Sequence, residues 1–314
     1  MNNRVFASLM VCGCLVSVLV VLISQPFGHV MENRAVIVSW DGGKPSAIGR
    51  LVARGQLPVV AQLMRQGAYT LTARTIVPSS TLPSHASMLS GLTPEGHKVF
   101  WNNYQADKGY IQVPTVFLLA KQAGLMTGMV YSKKKLHHLA VPGSVDEEIF
   151  VAEDASSVAR HSVRLLKRNP VHLLFVHFSD PDAAGHQDGW GSDKKGEPPS
   201  PAFLDALKAC DRATGLLVTF LKSAGLWDRT LLIVTADHGG QGKQHGSADD
   251  EDVLIPWVAS GGLAAKKGKL WLMVKTMDTA PTVLLALGLP IPSDWDGKPI
   301  RNALKPPISF IRAY

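Results

Sequence analysis

Short apolar runs rich in β-branched residues recur along the chain, and acidic or imidazole side chains follow them. Three are clearest: Ala35–Trp40 (AVIVSW), Val171–Phe178 (VHLLFVHF) and Leu231–Thr235 (LLIVT). Each has the length of a strand, and none has the polar alternation of a strand with one solvated face. Strands that are apolar on both faces are typical of a parallel sheet that is covered on both sides.

The segments between these runs have the spacing of helices. Apolar residues recur at helical intervals in three segments, 47–67, 152–168 and 203–225. A C-terminal stretch, MDTAPTVLLALGLPIP, predicts a short helix that stops at Gly288 and Pro290. The alternation of strands and helices predicts the α/β class, with a mostly parallel sheet sandwiched between helices. Because no linker or repeat interrupts residues 31–314, we expect them to form a single domain.

The first 30 residues carry one early positive charge, Arg4, followed by an apolar stretch from Val5 to Ile23. Its length is near the about 20 residues that a helix needs to cross the hydrocarbon layer, and it exceeds the core of a typical cleaved signal. No small-x-small cleavage site follows it. We therefore predict a signal or anchor segment over residues 1–30, with an uncleaved membrane anchor favoured over a cleaved signal, and an extracytoplasmic body.

The chain carries a formal net charge of +7 at pH 7, from 32 Lys and Arg against 25 Asp and Glu. The basic residues are scattered, and we interpret the densest run, Lys133–Lys135, as a solvated face. Binding of a nucleic-acid duplex is therefore not expected, while the positive excess favours anionic substrates. Among the cysteines, Cys210 is the one in the body of the chain, where its surroundings favour a helix residue over a nucleophile.

Carboxylates and imidazoles cluster after each of the three predicted strands. The first strand stops at Asp41, the second leads into SDPDAAGH and the third into ADH. In parallel sheets, ligand crevices form at the carboxyl ends of the strands. A glycine-rich loop then adds a further imidazole, so that the candidate ligands are Asp41, Asp182, His186, Asp237, His238 and His245. Six such side chains suit two divalent ions, most readily Zn²⁺.

The stretch Gly189–Pro201, GWGSDKKGEPPSP, is rich in turn formers and predicts a loop. It directly follows the candidate ligands Asp182 and His186. Two interpretations stay open: the loop covers the site, or it is a plain solvent loop.

A candidate nucleophile lies in PSSTLPSHASMLSG, residues 78–91. Thr81 stands in a polar turn ahead of a helical stretch. Alone it would be an ordinary N-cap, because Ser and Thr commonly start helices. Beside two divalent ions its hydroxyl becomes a candidate nucleophile, since a metal lowers the pKa of an oxygen that it contacts.

Taken in chain order, these motifs resemble those of the alkaline phosphatase superfamily, and within it the nucleotide pyrophosphatase or type I phosphodiesterase branch. The matching pieces are SWDGG, STLPSH, HKVFWNN, DPDAAGH, TADHGG, QHG and the closing MDTAPTVLLALGLPIPSDWDGKPI. The resemblance runs from about residue 34 to residue 301. It implies an alkaline-phosphatase-like domain and an enzyme that hydrolyses phosphate esters.

The resemblance also implies roles for individual residues. One zinc ion would be held by Asp182, His186 and His245, and the other by Asp41, Asp237, His238 and the Thr81 oxygen. Asn102 and the backbone amide of Thr81 would bind the phosphoryl oxygens. The Thr81 oxygen would attack phosphorus to form a phosphothreonine, which water then cleaves.

Two departures from this branch bear on the substrate. Leu82 follows the nucleophile where nucleotide-cleaving members have an aromatic residue, so base stacking worth about 1 to 3 kcal/mol is missing. Tyr104 or Trp101 would have to replace it, although a place in the wall of the site is the simpler interpretation for both. The interval between the ADH motif and His245 is also short, which predicts an open rim.

Three functions compete. The first is a phosphodiesterase or phosphomonoesterase outside the cytoplasm. The second is a membrane-associated transferase of phosphoryl head groups on lipids or glycans, favoured by the anchor-like segment. The third is an inactive binding protein, which the intact ligands disfavour. Sulfatase chemistry is also disfavoured, because sulfatases have a modified cysteine or serine at the position of Thr81.

Overall fold

The computed structural model describes residues 33–306. The strands are β1 (Arg34–Trp40), β2 (Ala68–Arg74), β3 (Thr127–Tyr131), β4 (Glu147–Phe150), β5 (Leu173–Phe178), β6 (Thr230–Thr235), β7 (Leu254–Ser260) and β8 (Gly268–Lys269). The α-helices are α1 (Pro45–Ala53), α2 (Pro58–Gln66), α3 (Thr81–Ser90), α4 (Pro94–His97), α5 (Val116–Gln122), α6 (Ala155–Arg168), α7 (Asp180–Asp188), α8 (Pro201–Ser223), α9 (Asp250–Val253) and α10 (Thr279–Leu287). The predicted signal or anchor segment, residues 1–30, lies outside the described range.

The eight strands form one sheet in the order β4-β3-β5-β1-β6-β7-β2-β8. β1 lies between β5 and β6 and is parallel to both. β7 is antiparallel to β6 and to β2, so β2 and its parallel neighbour β8 run in the direction of β1. The prediction of a mostly parallel sheet is confirmed.

Neighbouring residues of β1 pack into different hydrophobic cores. Ala35 and Ile37 belong to the core that contains α3, α5 and α10. Val36 and Val38 belong to the core that contains α1, α2, α6 and α8. Because side chains alternate across a strand, an apolar run without polar residues needs cover on both faces. The helices therefore sandwich the sheet, as predicted.

Local signals set the helix ends. The Asp154 carboxylate accepts a hydrogen bond from the Ser157 amide (2.8 Å) and caps α6. The segment 47–67 forms two helices, because Gly55 adopts φ +70° after α1 and Pro58 begins α2. α10 ends at Gly288 in the left-handed conformation, as predicted.

Within residues 33–306, none of the helices combines the length and the apolar character needed to cross a bilayer.

Candidate active site

The predicted metal ligands lie at the carboxyl ends of β1, β5 and β6. Asp41 follows β1 directly, and Asp237 lies two residues beyond β6. Asp182 and His186 lie one turn apart on α7, the helix that follows β5. Gly42 adopts φ +70°, and a Cβ there would lie 3.1 Å from the Asp182 Cα. Glycine therefore lets the turn after β1 pack closely against α7.

Backbone carbonyls hold the three predicted imidazole ligands in the same way. The Nδ1 atoms of His186, His238 and His245 donate to the carbonyls of Lys243 (3.1 Å), Gly239 (2.8 Å) and Ser79 (2.8 Å), respectively. Such bonds orient metal-binding histidines and assign the lone pair to Nε2. The Nε2 atoms of His186 and His245 lie 3.2 Å apart, and the His238 and His245 rings stack with centroids 3.6 Å apart.

Asp182 is common to two potential ligand groups. Its Oδ1 lies 3.5 Å from the Nε2 atoms of His186 and His245, and 3.7 Å from the Nε2 of His238. His238 Nε2 is also 3.3 Å from Asp41 Oδ1. The ligand atoms of two sets lie close enough to share an ion: Asp182 with His186 and His245, and Asp182 with Asp41 and His238. The first set is the one that the resemblance implies for one zinc ion.

Asp237 lies beside the second set. Its Oδ1 accepts hydrogen bonds from the amides of Gly42 and His238, both at 3.1 Å. Its Oδ2 lies 3.4 Å from His238 Nε2. One oxygen thus fixes the turns after β1 and β6, while the other faces the predicted ligands. Asp182 thus joins Asp237 as a neighbour of His238 in this second set.

Several buried atoms of these residues have no hydrogen-bond partner within the described part of the chain: Asp41 Oδ1, Asp182 Oδ1, Asp237 Oδ2 and His238 Nε2. The three carboxylate oxygens lie 3.3 to 3.7 Å from the imidazole nitrogen. Leaving buried polar atoms unpaired is costly, on the order of 1–3 kcal/mol for each. A divalent cation would satisfy all of them at once, and this mixed oxygen and nitrogen set suits zinc.

Thr81 and Asn102 meet at the first turn of α3. Thr81 begins the helix and is 1% exposed. Its Oγ1 lies 3.5 Å from the Nζ of Lys133, which in turn pairs with two of the predicted ligands. The Asn102 side-chain oxygen accepts a hydrogen bond from the amide of Leu82 (2.9 Å). The two residues predicted to act on the phosphoryl group therefore share one end of one helix.

Lys133 is a site residue that the sequence interpretation missed. Its Nζ lies 2.7 Å from Asp41 Oδ2 and 2.5 Å from Asp182 Oδ2, and its side chain is 19% exposed. The interpretation of the basic run as a solvated face is therefore wrong for Lys133, although Lys134 is exposed. A usable signal existed: Lys133 follows β3 by two residues, the position that Asp237 holds after β6.

Two fully buried histidines form hydrogen bonds with residues of the site. His177 donates from Nε2 to Asp41 Oδ2 (2.9 Å). His85 donates from Nδ1 to the Thr81 carbonyl (2.7 Å) and accepts from the Ser39 hydroxyl at Nε2 (2.8 Å). Burial lowers the pKa of both, to about 4 for His85. As neutral groups they orient the Asp41 carboxylate and the first turn of α3.

The charges of the site shift its pKa values in different directions. Burial alone would raise the pKa of Asp41, but the Lys133 ammonium and neighbouring imidazoles hold it well below its usual range. Burial and the Asp41 charge raise the pKa of Asp237. Burial disfavours charged His238, yet the surrounding carboxylates raise its pKa to about 9. Burial and the His238 charge lower the pKa of His245 to about 4. The carboxylates thus create a strong local attraction for cations.

The first residues of the loop that starts at Gly189 pack against the segments that carry the predicted ligands. They therefore neither cover the site nor form a plain solvent loop. Trp190 is fully buried and donates from Nε1 to the Gly42 carbonyl (2.9 Å). Its ring packs edge-on against His186 and His245, with centroids 5.0 and 5.8 Å away. A Cβ on Gly185 would lie 2.2 Å from this ring. Trp190 therefore fixes the separation between α7 and the glycine-rich loop that carries His245.

The order of these residues along the chain matches a known family. The family model described as type I phosphodiesterase / nucleotide pyrophosphatase matches residues 35–254, a range that includes every residue of the site. The chain belongs to this family. The predicted place in the alkaline phosphatase superfamily is therefore confirmed.

Curated relatives of this type I phosphodiesterase family member are distant and longer. The chain is 24% identical over 223 residues to bis(5'-adenosyl)-triphosphatase of Xenopus laevis, with 66% of this chain and 47% of that protein covered. It is 27% identical over 274 residues to the catalytic subunit of human GPI ethanolamine phosphate transferase 2, with 79% and 26% covered. The chain spans about half or less of the length of these relatives.

Solved structures share the fold. An inactive variant of murine ectonucleotide pyrophosphatase/phosphodiesterase 5 in complex with AMP has a TM-score of 0.71 at 15% identity, covering 87% of this chain and 100% of that one. A 2-O GAG sulfatase has a TM-score of 0.68 at 17% identity, covering 86% and 73%. These likenesses confirm the predicted α/β domain of the alkaline phosphatase type.

Proposed function

We propose that this chain is an extracytoplasmic hydrolase of phosphate esters, with Thr81 as nucleophile and two divalent ions, most readily Zn²⁺, as cofactors. The observation that carries the proposal is the convergence of buried ligand atoms without hydrogen-bond partners in residues 33–306, with Lys133 linking Asp41 and Asp182 to the Thr81 hydroxyl. Membership of the type I phosphodiesterase family supports the same reaction class.

The donor set divides into two overlapping groups. Asp182, His186 and His245 would hold one ion, and Asp41, Asp237 and His238 would hold the other, with Asp182 Oδ1 within reach of both. When bound, such ions polarise phosphoryl oxygens and lower the pKa of oxygens that they contact, which assists in-line displacement at phosphorus. Imidazole and carboxylate donors together favour zinc over magnesium or calcium.

The reaction that these residues support has two steps. The Thr81 hydroxyl gives up its proton and its oxygen attacks phosphorus; the bond from phosphorus to the leaving oxygen breaks, that oxygen takes up a proton and departs as the alcohol, and a phosphothreonine forms. Water then loses a proton and attacks the same phosphorus, the bond to the Thr81 oxygen breaks, and that oxygen takes up a proton. Splitting one difficult displacement into two is the usual benefit of a covalent nucleophile.

Chain groups also bind the phosphoryl oxygens. With its side-chain oxygen engaged by the Leu82 amide, Asn102 directs its amide nitrogen to donate at the same helix end. Lys133 places a positive charge 3.5 Å from the attacking oxygen. Each donor aimed at charge that develops in the transition state contributes typically about 3 kcal/mol to lowering the barrier.

The walls of the site favour small or flexible leaving groups over stacked bases. Leu82 is fully buried and offers no stacking surface. Tyr104 is 37% exposed, but the Lys134 ammonium lies 4.4 Å from its ring centroid and the His138 ring lies 5.2 Å away. Trp101 packs edge-on against His138. Nucleotides are therefore expected to be poor substrates of this chain, in contrast to the nucleotide named for the Xenopus relative.

A second candidate function is the transfer of phosphoryl head groups between lipids or glycans. The relation to the human GPI ethanolamine phosphate transferase subunit, which covers 79% of this chain, favours it. In that case an acceptor alcohol replaces water in the second step. Activity on phospholipid vesicles with an added acceptor, and none on soluble esters, would favour transfer over hydrolysis.

Placement outside the cytoplasm is supported by the apolar stretch Val5–Ile23. We propose that this stretch anchors the chain. External protease added to intact cells should then degrade residues beyond 30, whereas protection of the body until the cells are lysed would contradict the placement.

The central experiment compares a nitrophenyl diester with the matching monoester, using chain reconstituted with zinc. Thr81→Ala should abolish turnover of both while retaining most of the bound metal, because several other ligands remain. Thr81→Ser should retain part of the turnover, since serine offers the same attacking group. Mass spectrometry of acid-quenched wild type should find phosphate on the peptide that contains Thr81. Turnover by Thr81→Ala would remove Thr81 as nucleophile.

A further inference from the structure

Three consecutive apolar side chains project from the body of the protein. Trp271 is 86% exposed, Met273 is 66% exposed and Leu272 is 39% exposed. An isolated exposed apolar residue is ordinary, but adjacent large apolar residues typically mark an interaction surface. We call residues 271–273 the tryptophan loop.

The tryptophan loop protrudes although both of its ends are fixed. Leu270, which precedes it, is 6% exposed and donates its amide to the Tyr69 carbonyl (2.7 Å). Val274, which follows it, is fully buried and accepts from the Arg74 amide (2.9 Å). Both flanking residues are thus anchored in the core, and the exposure of the apolar tip is a fixed feature of the fold.

Lysines flank the tryptophan loop on both sides in the sequence. Lys266, Lys267, Lys269 and Lys275 are all exposed, and no acidic residue occurs between positions 263 and 277. The Lys269 ammonium lies 4.5 Å from the centroid of the Trp271 ring. Tryptophan and leucine flanked by lysines suit the boundary between lipid headgroups and acyl chains, where the ring enters and the ammonium groups meet anionic headgroups.

The tryptophan loop runs alongside β2 at the lateral edge of the sheet. Its first flank pairs with Tyr69 near the amino end of β2, and its second flank reaches Arg74 at the carboxyl end, the end of the sheet that also carries Asp41. Arg74, which binds the loop's far end, is followed by Thr75, whose hydroxyl donates to Ser84 in the helix that begins with Thr81. The loop and the nucleophile helix are therefore joined through two short contacts.

We propose that the tryptophan loop docks this protein on an anionic phospholipid surface, with Trp271 and its neighbours inserted among the headgroups. Charge complementarity selects lipid as the occupant: an apolar tip flanked in the sequence by four exposed lysines matches an anionic bilayer. The docking goes beyond the proposed hydrolysis and does not depend on the chemistry at Thr81.

The sequence makes a direct test practicable. All seven tryptophans lie in the described residues, and the other six are buried or partly buried. The apolar stretch Val5–Ile23 contains no tryptophan. The difference in fluorescence between wild type and Trp271→Phe therefore reports on Trp271. Full-length chain is reconstituted in phosphatidylglycerol or phosphatidylcholine vesicles, with brominated acyl chains placed in the same vesicles or in added acceptor vesicles.

Bromolipid should quench the Trp271 signal in phosphatidylglycerol vesicles, and high salt should weaken the quenching. Trp227→Phe is the matched control, because Trp227 is partly buried and packs against the hydrophobic core that contains α8; it should leave the quenching unchanged. Replacing Lys266 and Lys267 with glutamine should weaken docking by about fivefold for each lysine removed. If wild type and Trp271→Phe are quenched equally both when bromolipid is in their own vesicles and when it is in added vesicles, the proposal is overturned.

A second copy of the chain is the competing occupant. If Trp271→Ala lowers the number of chains per particle while bromolipid leaves Trp271 unquenched, the surface is an interface between copies and lipid docking is rejected. Turnover of a soluble nitrophenyl ester serves as a separate readout. Docking variants should retain it, so a failure of docking and a failure of the proposed hydrolase are distinguishable.

Discussion

At the scale of single residues, the site is defined by where protons and lone pairs are directed. Each of His186, His238 and His245 commits Nδ1 to a backbone carbonyl and thereby directs Nε2 toward the Asp182 carboxylate. A histidine that merely fills a core has no need to share this orientation with two others. The common arrangement is the strongest local argument that these residues bind a metal.

Lys133 is predicted to contribute to turnover and not to metal retention. Lys133→Met removes a cation that lies 3.5 Å from the Thr81 oxygen, and we expect kcat/KM for a phosphate ester to fall about 100-fold, as for the loss of one transition-state donor. Metal per chain, measured by elemental analysis, should not fall. Steady-state kinetics on zinc-loaded protein measures the effect.

Lys134→Met is the matched control, because Lys134 is the next residue and its ammonium lies over the Tyr104 ring. It should change kcat/KM by less than the neighbouring substitution. If Lys133→Met binds more zinc and turns over at the wild-type rate, then Lys133 merely occupies ligand space and has no part in binding the phosphoryl group.

At the scale of secondary-structure elements, the turn after β1 controls how closely two ligand-bearing segments approach. Gly42 adopts a left-handed conformation between Asp41 and α1, and a Cβ there would lie in tight contact with α7, 3.1 Å from the Asp182 Cα. Trp190 closes the other side of the same contact by donating to the Gly42 carbonyl. The turn thus sets the position of Asp182 relative to Asp41.

Gly42→Ala should therefore reduce both stability and metal binding. An L-residue in the left-handed conformation costs about 1–2 kcal/mol in the free energy of unfolding, and the new methyl group would press on Asp182. Denaturant unfolding and elemental analysis measure the two effects.

Gly55→Ala separates the two causes. Gly55 has the same φ of +70°, but a Cβ there would contact nothing within 4 Å. It should lose a similar free energy of unfolding and retain its metal. Equal metal content in both variants would show that the contact between the β1 turn and α7 does not position Asp182.

At the scale of the whole molecule, buried neutral histidines couple folding to pH. His97 is 2% exposed, accepts the Val99 amide at Nδ1 and donates from Nε2 to the Ser87 hydroxyl. Burial lowers its pKa from 6.5 to about 4. Between these values the unfolded chain binds the proton and the folded chain does not, so the free energy of unfolding falls as pH falls from about 6.5 toward 4.

Replacing this group should flatten the profile. At pH 5 the contribution of His97 to the loss is about 2 kcal/mol, because one proton changes stability by about 1.4 kcal/mol for each pH unit. His97→Gln should remove that share of the slope in denaturant unfolding between pH 4 and 7. Above pH 7 the two curves should run parallel. A difference in slope that occurs only above pH 7 would contradict the assignment.

Much of the fold was predictable because its signals are local. The predicted strands at 35–40, 171–178 and 231–235 agree with β1, β5 and β6 within two residues. Their apolar composition reflects burial on both faces, which a single sequence displays. The other five strands, β2, β3, β4, β7 and β8, were not predicted; β2, for example, pairs with β7 and with β8, which lie far from it in the chain. No local pattern encodes such partners.

The residue types of the site were likewise predictable, since they follow strand ends. Lys133 was missed for a physical reason: a run of lysines has the same pattern whether it is solvated or one member turns inward. Its inward direction depends on carboxylates supplied by β1 and α7.

The sequence alone determined the alternation of strands and helices and the presence of ligand-grade side chains where strands end. The tertiary structure decided that Asp182 lies within reach of both ligand groups, and that Lys133 lies beside Thr81. The reason is geometric. These contacts depend on the sheet order that places β1 between β5 and β6, and on the glycine turn that brings α7 against Asp41, and both arise only when distant segments pack together.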